Sequence, residues 1–248
     1  MRTLLLGAAA AAAMMTPGLA NANTSGNLAL SYENTDYDGG SDFDAYSLGG
    51  AVVHGMSNGM TVQLDGRTTL QDWSFSHDSH GYAAAHLSTD MAGWDVGGFA
   101  GALNWYGLGA TMIGVEGRTS FGNISLDGSI GHTDFGDVSI DGTSYRAGGA
   151  YFFSPNLALT AGASFTDIDA GASTEVTELS LGGAYQFANN VELFGGYTNT
   201  DADAPVDYDA DTWRFGVRFN LNGGSLQDNA NDGAWTSAEH IANTWMRW

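Results

Sequence analysis

Apolar side chains alternate with polar or small ones at nearly every step along most of this chain. The stretches "ALTAGASFTD" and "TWRFGVRFNL" show the pattern clearly. A period of two residues is typical of β-strands with two unlike faces. Twelve such segments can be placed, near residues 26–34, 43–54, 60–72, 80–89, 94–105, 109–120, 123–134, 143–153, 156–167, 176–187, 190–201 and 210–221. Most have about the ten residues that a tilted strand needs to cross a bilayer.

A repeat organises these segments into hairpins. The stretches "NISLDGSIGHTD" (123–134), "NLALTAGASFTD" (156–167) and "NVELFGGYTNTD" (190–201) share Asn first, Leu fourth and Thr-Asp at the end, and their starts lie 33 and 34 residues apart. Weaker relatives start at positions 27, 58 and 90, which makes six hairpins. Paired-helix repeats have a similar period, but the alternation and the 36 glycines exclude them.

The connections predict which way these hairpins run. They alternate between longer ones, such as "DFGDVSIDGT", and short ones, such as "FSPN". Membrane barrels have this arrangement, with tight periplasmic turns and longer external loops. Aromatic residues near the strand ends resemble two interfacial girdles, namely Phe121, Phe153, Phe187 and Phe219 near the short turns and Tyr32, Tyr145, Tyr197 and Trp213 towards the loops. We therefore predict a transmembrane antiparallel up-and-down β-barrel of twelve strands, with both chain ends in the periplasm.

Charge placement predicts which face of the strands points inwards. The face opposite the apolar one carries Arg67, Arg118, Arg146, Arg214 and Arg218, together with Asp65, Glu116, Asp127, Glu178 and Glu192. A guanidinium facing hydrocarbon at the midplane costs about 2–4 kcal/mol, so this face is expected to line a water-accessible lumen. Two interpretations stay open. The charges form an internal salt-bridge network, or they create a transverse field that selects polar solutes.

The two ends of the chain differ from its middle. Residues 1–22 have one Arg, an apolar run and a final Ala-x-Ala, which predicts a cleaved signal peptide and leaves 23–221 as the barrel. Residues 222–248 form a tail in which Thr236 and Glu239 have capping-box spacing and Ile241, Trp245 and Trp248 share one side of a short helix. This periplasmic tail could plug or gate the lumen, bind a periplasmic partner, or be a frayed extension.

Composition narrows the classes of function. The chain has no Cys, no Lys and a formal charge of −21, so disulfides are absent and nucleic acid is a poor partner. The only candidate catalytic cluster is "SHDSH" (76–80), a polar segment without a visible oxyanion-stabilising group, so no enzyme is predicted. The acidic loop "DADAPVDYDAD" lacks the Gly and terminal Glu of a calcium loop. We therefore expect no metal site and no cofactor.

Two hairpins resemble those of Gram-negative outer-membrane β-barrel proteins, including the porins. They read "GGAYFFSPNLALTAGASFTD" and "GGAYQFANNVELFGGYTNTD". The segment 214–221 is similar to the last-strand signal of that class, with Arg214, Gly216, Phe219 and Leu221 at its key positions, although in porins this signal usually ends the chain. The resemblance implies an outer-membrane location, contact with lipid and with the assembly machinery, and passive diffusion of small polar solutes or ions. A non-conducting barrel with a structural or adhesive surface role is the alternative, and a homo-oligomer is left open.

Overall fold

The computed structural model describes residues 24–38, 40, 42–73, 76–136, 138–188, 190–203, 208–221 and 223–247. The predicted signal peptide, residues 1–22, lies outside these ranges. Twelve antiparallel strands form one closed barrel in which each strand pairs with its neighbours along the chain. The barrel closes where the first and last strands pair, from Asn27 opposite Asn220 to Tyr37 opposite Ala210. The predicted fold class and strand number are confirmed.

The strands agree with the alternating segments to within a few residues. They are β1 (Thr24–Tyr37), β2 (Phe43–Gly55), β3 (Met60–Trp73), β4 (Ser76–Met91), β5 (Trp94–Trp105), β6 (Leu108–Phe121), β7 (Ile124–Phe135), β8 (Ile140–Ser154), β9 (Leu157–Asp169), β10 (Ser173–Ala188), β11 (Val191–Asp203) and β12 (Tyr208–Asn220). Both β1 and β12 have their free ends at the same end of the barrel, here called the terminal end. The opposite end is the loop end.

The connections at the loop end are shorter than the sequence predicts. The β5–β6 connection is the two-residue turn Tyr106–Gly107, with φ angles of 46° and 84°. Both φ angles are positive, as in a tight two-residue hairpin turn. Residues 76–79, expected in a loop, lie in β4 instead. The prediction was wrong here because backbone pairing continues along two neighbouring strands even where the side chains no longer alternate in polarity.

The two faces of the barrel have the predicted character. Large apolar side chains such as Leu30, Ile113 and Phe215 point outwards and are 52%, 64% and 53% exposed. The aromatic residues expected in two girdles also lie on the outer face. Phe121, Phe153, Phe187 and Phe219 lie at the terminal ends of their strands, as predicted, whereas Tyr32, Tyr145, Tyr197 and Trp213 lie nearer the middle of theirs. The inner face carries the buried polar and charged groups. An apolar exterior and a polar interior are the arrangement of a barrel that lies in lipid.

The tail forms two short helices. Helix α1 (Leu226–Asp232) starts at Ser225, whose hydroxyl accepts a hydrogen bond from the Asp228 backbone in a reciprocal capping box. Hydrogen bonds from the backbone and the hydroxyl of Ser225 lower the pKa of Asp228. Helix α2 (Ser237–Arg247) is almost entirely buried. Among the described residues, no helix is long and apolar enough to cross a membrane.

Candidate functional site

Helix α2 lies inside the barrel, nearest to β4, β5 and β7. Its apolar side chains Ile241 and Trp245 are 3% and 0% exposed. Two inward-facing glycines of the wall make room for them. A Cβ on Gly131 would overlap the Ile241 Cδ1 methyl, and a Cβ on Gly142 would lie 2.8 Å from Cζ2 of Trp245. The wall is therefore shaped to receive this particular helix.

A continuous apolar surface on the inner face of β4–β7 covers this side of α2. We call it the apolar wall, and it consists of Tyr82, Phe99, Leu103, Met112 and Phe135, all buried. At the loop end the same buried apolar cluster continues to Ile168 of β9, Val176 of β10 and Ala202 of β11. The Phe135 ring packs edge-on against Trp245 with 5.0 Å between ring centroids. In an empty lumen these side chains would be exposed to water, at a free-energy cost of about 25 cal/mol for each Å² of apolar surface. The apolar wall and the apolar face of α2 therefore stabilise each other.

On its other side α2 enters a ring of alternating charges. Glu239 of the helix accepts hydrogen bonds from Arg67 at 3.2 Å and from Arg214 at 2.9 Å. Both arginines also pair with Glu33 of β1, and the Arg214–Glu33 separation is 3.3 Å. Each member of the ring thus faces two opposite charges, which is what buried charges require.

The last turn of α2 is fixed at the loop end by a second group, here called the C-terminal lock. Its Arg247 side chain pairs with Glu178 at 3.1 Å and with Glu33 at 3.5 Å. The Tyr37 hydroxyl donates to the Arg247 carbonyl at 2.6 Å. Thr244 also donates to Glu178, at 2.7 Å. The lock joins α2 to β1 and β10.

The segment that leads into α2 is also bound to the barrel wall by hydrogen bonds. The Gln63 amide donates to the Trp235 carbonyl at 2.9 Å and accepts from the Trp235 backbone N–H at 2.7 Å. Arg118 lies 4.4 Å over the Trp235 ring and donates to the Gly233 carbonyl at 2.7 Å. Arg118 also pairs with Asp95 at 2.7 Å. This predicted lumen residue thus anchors the entry of the tail.

The other predicted lumen residues also lie on the inner face, in separate contacts. Arg146 pairs with Asp127. Arg218 pairs with Glu192 at 2.5 Å and lies 4.9 Å over the Phe194 ring. All five predicted arginines are therefore in ion pairs, as the network interpretation expects, while their part in solute selection stays a prediction.

Asp65 and Glu116 meet at a histidine that the sequence analysis did not single out. The His86 ring places Nε2 2.8 Å from Asp65 and Nδ1 2.7 Å from Glu116. All three side chains are buried. The Nδ1 atom forms a hydrogen bond with Glu116, whereas Nε2 lies close to Asp65 without a well-oriented hydrogen bond.

Two cavities remain beside α2, and the larger one also touches Tyr82 of the apolar wall. One cavity of about 360 Å³ reaches Asn27 and Asn220 at the terminal end, and another of about 250 Å³ reaches Thr198 and Arg247. Six charged or titratable residues line both cavities, namely Arg146, Glu192, Arg214, Arg218, Glu239 and His240. The two cavities therefore adjoin and form one polar space, which we call the groove.

No protein-family model matches the chain, and no curated protein matches it. Similar solved structures exist. The CymD monoaromatic hydrocarbon channel is 10% identical with a TM-score of 0.56, covering 88% of this chain and 94% of that one. The COG4313 outer membrane channel from Pseudomonas putida F1 is 16% identical with a TM-score of 0.54, covering 83% and 98%. The translocator domain of autotransporter NalP from Neisseria meningitidis is 11% identical with a TM-score of 0.53, covering 88% and 95%.

The chain has the fold of an outer-membrane β-barrel protein. At such identities the likeness establishes the fold alone. Within this barrel, the residues of the expected last-strand signal lie in or beside β12, with Phe219 and Leu221 pointing outwards. Arg214 and Gly216 point inwards, and a Cβ on Gly216 would overlap the Phe194 ring. Their role in assembly stays a prediction.

Several charged groups of the site are absent from the sequence-based set. Glu33 lies on the inner face of β1, where its alternation with Ser31 and Thr35 could have identified it. Glu239 was expected to form a capping box but contacts Arg67 and Arg214 instead. A tail that plugs the lumen was one of the alternatives left open by the sequence, but no pattern identified Arg247 as a residue that would pair with Glu33 and Glu178. The expected contribution of Trp248 lies outside the described residues.

The "SHDSH" cluster does not form a described site. The side chains of residues 76–78 lie outside the described set, and Ser79 is half-buried. His80 is fully buried on the inner face, with Nε2 2.5 Å from the Gln71 amide oxygen. In the described part of the chain, no three His, Asp or Glu side chains converge as metal ligands.

Proposed function

We propose that this protein is an outer-membrane channel through which small polar solutes or ions diffuse passively. The observation that carries the proposal is the groove, a polar space lined by charged residues inside a closed barrel. Water and ions enter such a space without the desolvation that an apolar interior would impose. Passive diffusion needs no catalytic group, so the proposal includes no enzyme activity.

The comparisons support a channel at a coarse level. Two of the similar structures are themselves described as channels, one of them for monoaromatic hydrocarbons. The solute class proposed here differs from that one because both sides of the groove are charged. Arg146 and Arg218 face it from the strands, and Glu239 faces it from α2. Charged walls favour polar solutes over hydrocarbons.

The location belongs to the same proposal. Export through the cleaved signal peptide of residues 1–22 and insertion by the outer-membrane assembly machinery, which reads β12, would place the apolar exterior in lipid. The terminal end would then face the periplasm and the acidic loop end the outside. A homo-oligomer is compatible with this arrangement.

Planar-bilayer recording of the purified, full-length protein tests the function. We expect small, reproducible conductance steps, because the groove is narrow. A control preparation of detergent alone should give none. Folded protein that inserts without any conductance step would overturn the channel function.

A second candidate function is favoured by one observation, the tight fit of α2 in the lumen. A barrel filled in this way could be a non-conducting structural or adhesive protein that acts through its acidic loop end, where Asp201, Asp203 and Asp209 lie. Folded barrels that are electrically silent but bind cationic surfaces in a salt-dependent way would support this second function.

A further inference from the structure

The described arginines fall into two groups by their use of N–H donors. In one group both terminal nitrogens of the guanidinium donate to protein groups, and its members are Arg67, Arg118 and Arg247. In the other group only one terminal nitrogen donates, in each case to a carboxylate, and its members are Arg146, Arg214 and Arg218. A guanidinium has five N–H donors, so the second group keeps donors that the protein does not use.

All three arginines with unused donors line the groove. Arg146 faces it from β8, while Arg214 and Arg218 face it from β12, on either side of β9–β11. The inward positions of the strands between them include Gly182 and Gly196, which lie opposite each other in register. Because these positions have no side chain, the space between the arginines stays open.

Helix α2 and β9 add further polar groups to the same space. His240 of α2 lines both cavities of the groove. Among the described residues, its backbone forms hydrogen bonds but its ring forms none. Thr160 of β9 also lines both cavities, and its side chain is exposed there. A neutral imidazole has one N–H donor and a hydroxyl has one O–H donor, so both can bind an acceptor in the groove.

The lining of the groove is positive, in contrast to the chain as a whole. Five arginines and four carboxylates line the larger cavity, and four arginines and three carboxylates line the smaller one. The chain carries a formal charge of −21. Two of the lining carboxylates, Asp127 and Glu192, already accept from Arg146 and Arg218. A bound anion would offset the remaining positive charge and accept from the unused donors.

The groove is closed on the side of the loop end. Beyond Arg247 the inward-facing side chains are almost completely buried, and Thr35, Ile168 and Val176 are 0%, 0% and 2% exposed. At the terminal end the lining includes Asn27, which is partly exposed. A solute therefore reaches the groove from the terminal end, and binding there does not require the loop end to open.

We propose that the groove is a binding site for small anions with a carboxylate or phosphate group, held by the unused N–H groups of its three arginines and by the ring of His240. Guanidinium groups bind such oxyanions through paired, charge-assisted hydrogen bonds. A cavity of about 360 Å³ lies within the size range of small-molecule sites. The inference rests on the proposed channel function, because it names the class of solute that the channel takes up.

Calorimetric titration of the purified, folded protein tests binding directly, in non-ionic detergent at low ionic strength. The probes are inorganic phosphate and succinate, with the uncharged succinamide as the matched control for succinate. We expect saturable binding of at least one of the two anions and none of succinamide. Binding of one anion alone would support the site and identify the group as phosphate or carboxylate. Binding of neither, or equal binding of succinamide, would overturn the proposal.

The double variant Glu192→Gln/Arg218→Gln tests where the anion binds. It removes one ion pair as a whole, so the net charge of the groove is unchanged and no buried charge is left unpaired. We expect the affinity for the bound anion to fall about tenfold or more, because hydrogen bonds from a charged donor are lost. Unchanged affinity in the folded variant would overturn the proposal by placing the anion elsewhere.

The variant His240→Ala provides a second test if the double variant does not fold. The ring forms no hydrogen bond with the described residues, so its removal should leave the barrel folded. We expect the affinity to fall about threefold or more. The matched control is His132→Ala on the outer face, where no change is expected. Unchanged affinity in His240→Ala, or an equal fall in His132→Ala, would overturn the site.

The outcomes separate this site from the channel function, since binding and conductance are measured independently. Anion binding by a folded barrel without conductance steps would overturn the channel and support the site. A conducting barrel that binds neither anion would overturn the site alone. A folded barrel with neither binding nor conductance would overturn both.

Discussion

The two sides of the lumen hold α2 by different means. The apolar wall on β4–β7 holds it by close packing, with Trp245 against Phe135 at 5.0 Å. The opposite side, formed by β1, β3 and β10–β12, holds it by ion pairs and borders the groove, with buried Val176 and Ala202 on the loop-end side. Packing excludes water, whereas charged groups retain it. The same helix is therefore packed like a protein core on one side and faces a polar cavity on the other.

Removing helix α2 altogether should have the largest effect on conductance. Truncation after Gly233 deletes α2 and leaves both sides of the lumen facing water. We expect conductance to rise roughly three- to tenfold, because a twelve-stranded barrel without a filling element has a wider lumen. Bilayer recording measures this, with heat-dependent gel mobility as the control for folding. Wild-type conductance in the folded truncation would contradict the position of α2.

The packed side of α2 should contribute more to the free energy of unfolding than the polar side, and shortening one side chain on each side tests this. Trp245→Ala is expected to lower the free energy of unfolding by about 3–5 kcal/mol, since it empties a fully buried site. Asn243→Ala, the matched change on the polar side, removes a hydrogen bond of 2.8 Å from the charged Arg67 side chain and should cost about 1.5–3 kcal/mol. Urea unfolding in lipid vesicles measures both. Equal losses would argue against a packed apolar side.

Filling a recess in the wall should have a smaller effect. Gly131→Val places methyl groups where Ile241 lies, and we expect a loss of about 1–3 kcal/mol from overpacking. The same unfolding experiment applies. Gly117→Ala is the control, because the nearest atom to a Cβ there is the Asp95 carbonyl oxygen at 3.8 Å. A stable Gly131→Val variant would mean that α2 does not touch β7.

Neutralising one charge of the groove should have the smallest effect. Arg146→Gln leaves Asp127 without its partner and makes the groove more negative. We expect the preference for cations over anions to rise about two- to threefold, measured as a shift of the reversal potential in a salt gradient. The outward-facing His132→Gln should show no shift. An unchanged potential in Arg146→Gln would remove this residue from the solute path.

Much of the barrel could be predicted without coordinates because the strand signal is local. Alternation in segments such as 156–167 and 210–221 identifies strands and assigns each side chain to one face. The inward position of Arg67 and Arg146 followed from the cost of placing a guanidinium in lipid. Neither inference depends on which strands are neighbours across the lumen. Loop lengths failed because strand pairing outlasts the alternation, as at residues 76–79.

The site itself could be predicted only in part. The sequence indicated that charges line the lumen, but not that Arg67 and Arg214 share Glu33 and Glu239. These pairs join residues far apart in the chain, and their distances depend on the curvature and register of the closed barrel. The contacts of His86 with Asp65 and Glu116 could not be predicted for the same reason.

By itself, then, the sequence determined a twelve-stranded barrel with an apolar exterior and a charged interior. The reason is that a strand's two-residue period can be recognised within a few residues, and that the polarity of each side chain decides whether it faces lipid or water. Only the tertiary structure decided that the tail lies inside, with Trp245 in a recess opposite Gly142 and Arg247 between Glu33 and Glu178. That placement depends on matching the shape and charge of α2 to a wall built from many strands, which no local pattern records.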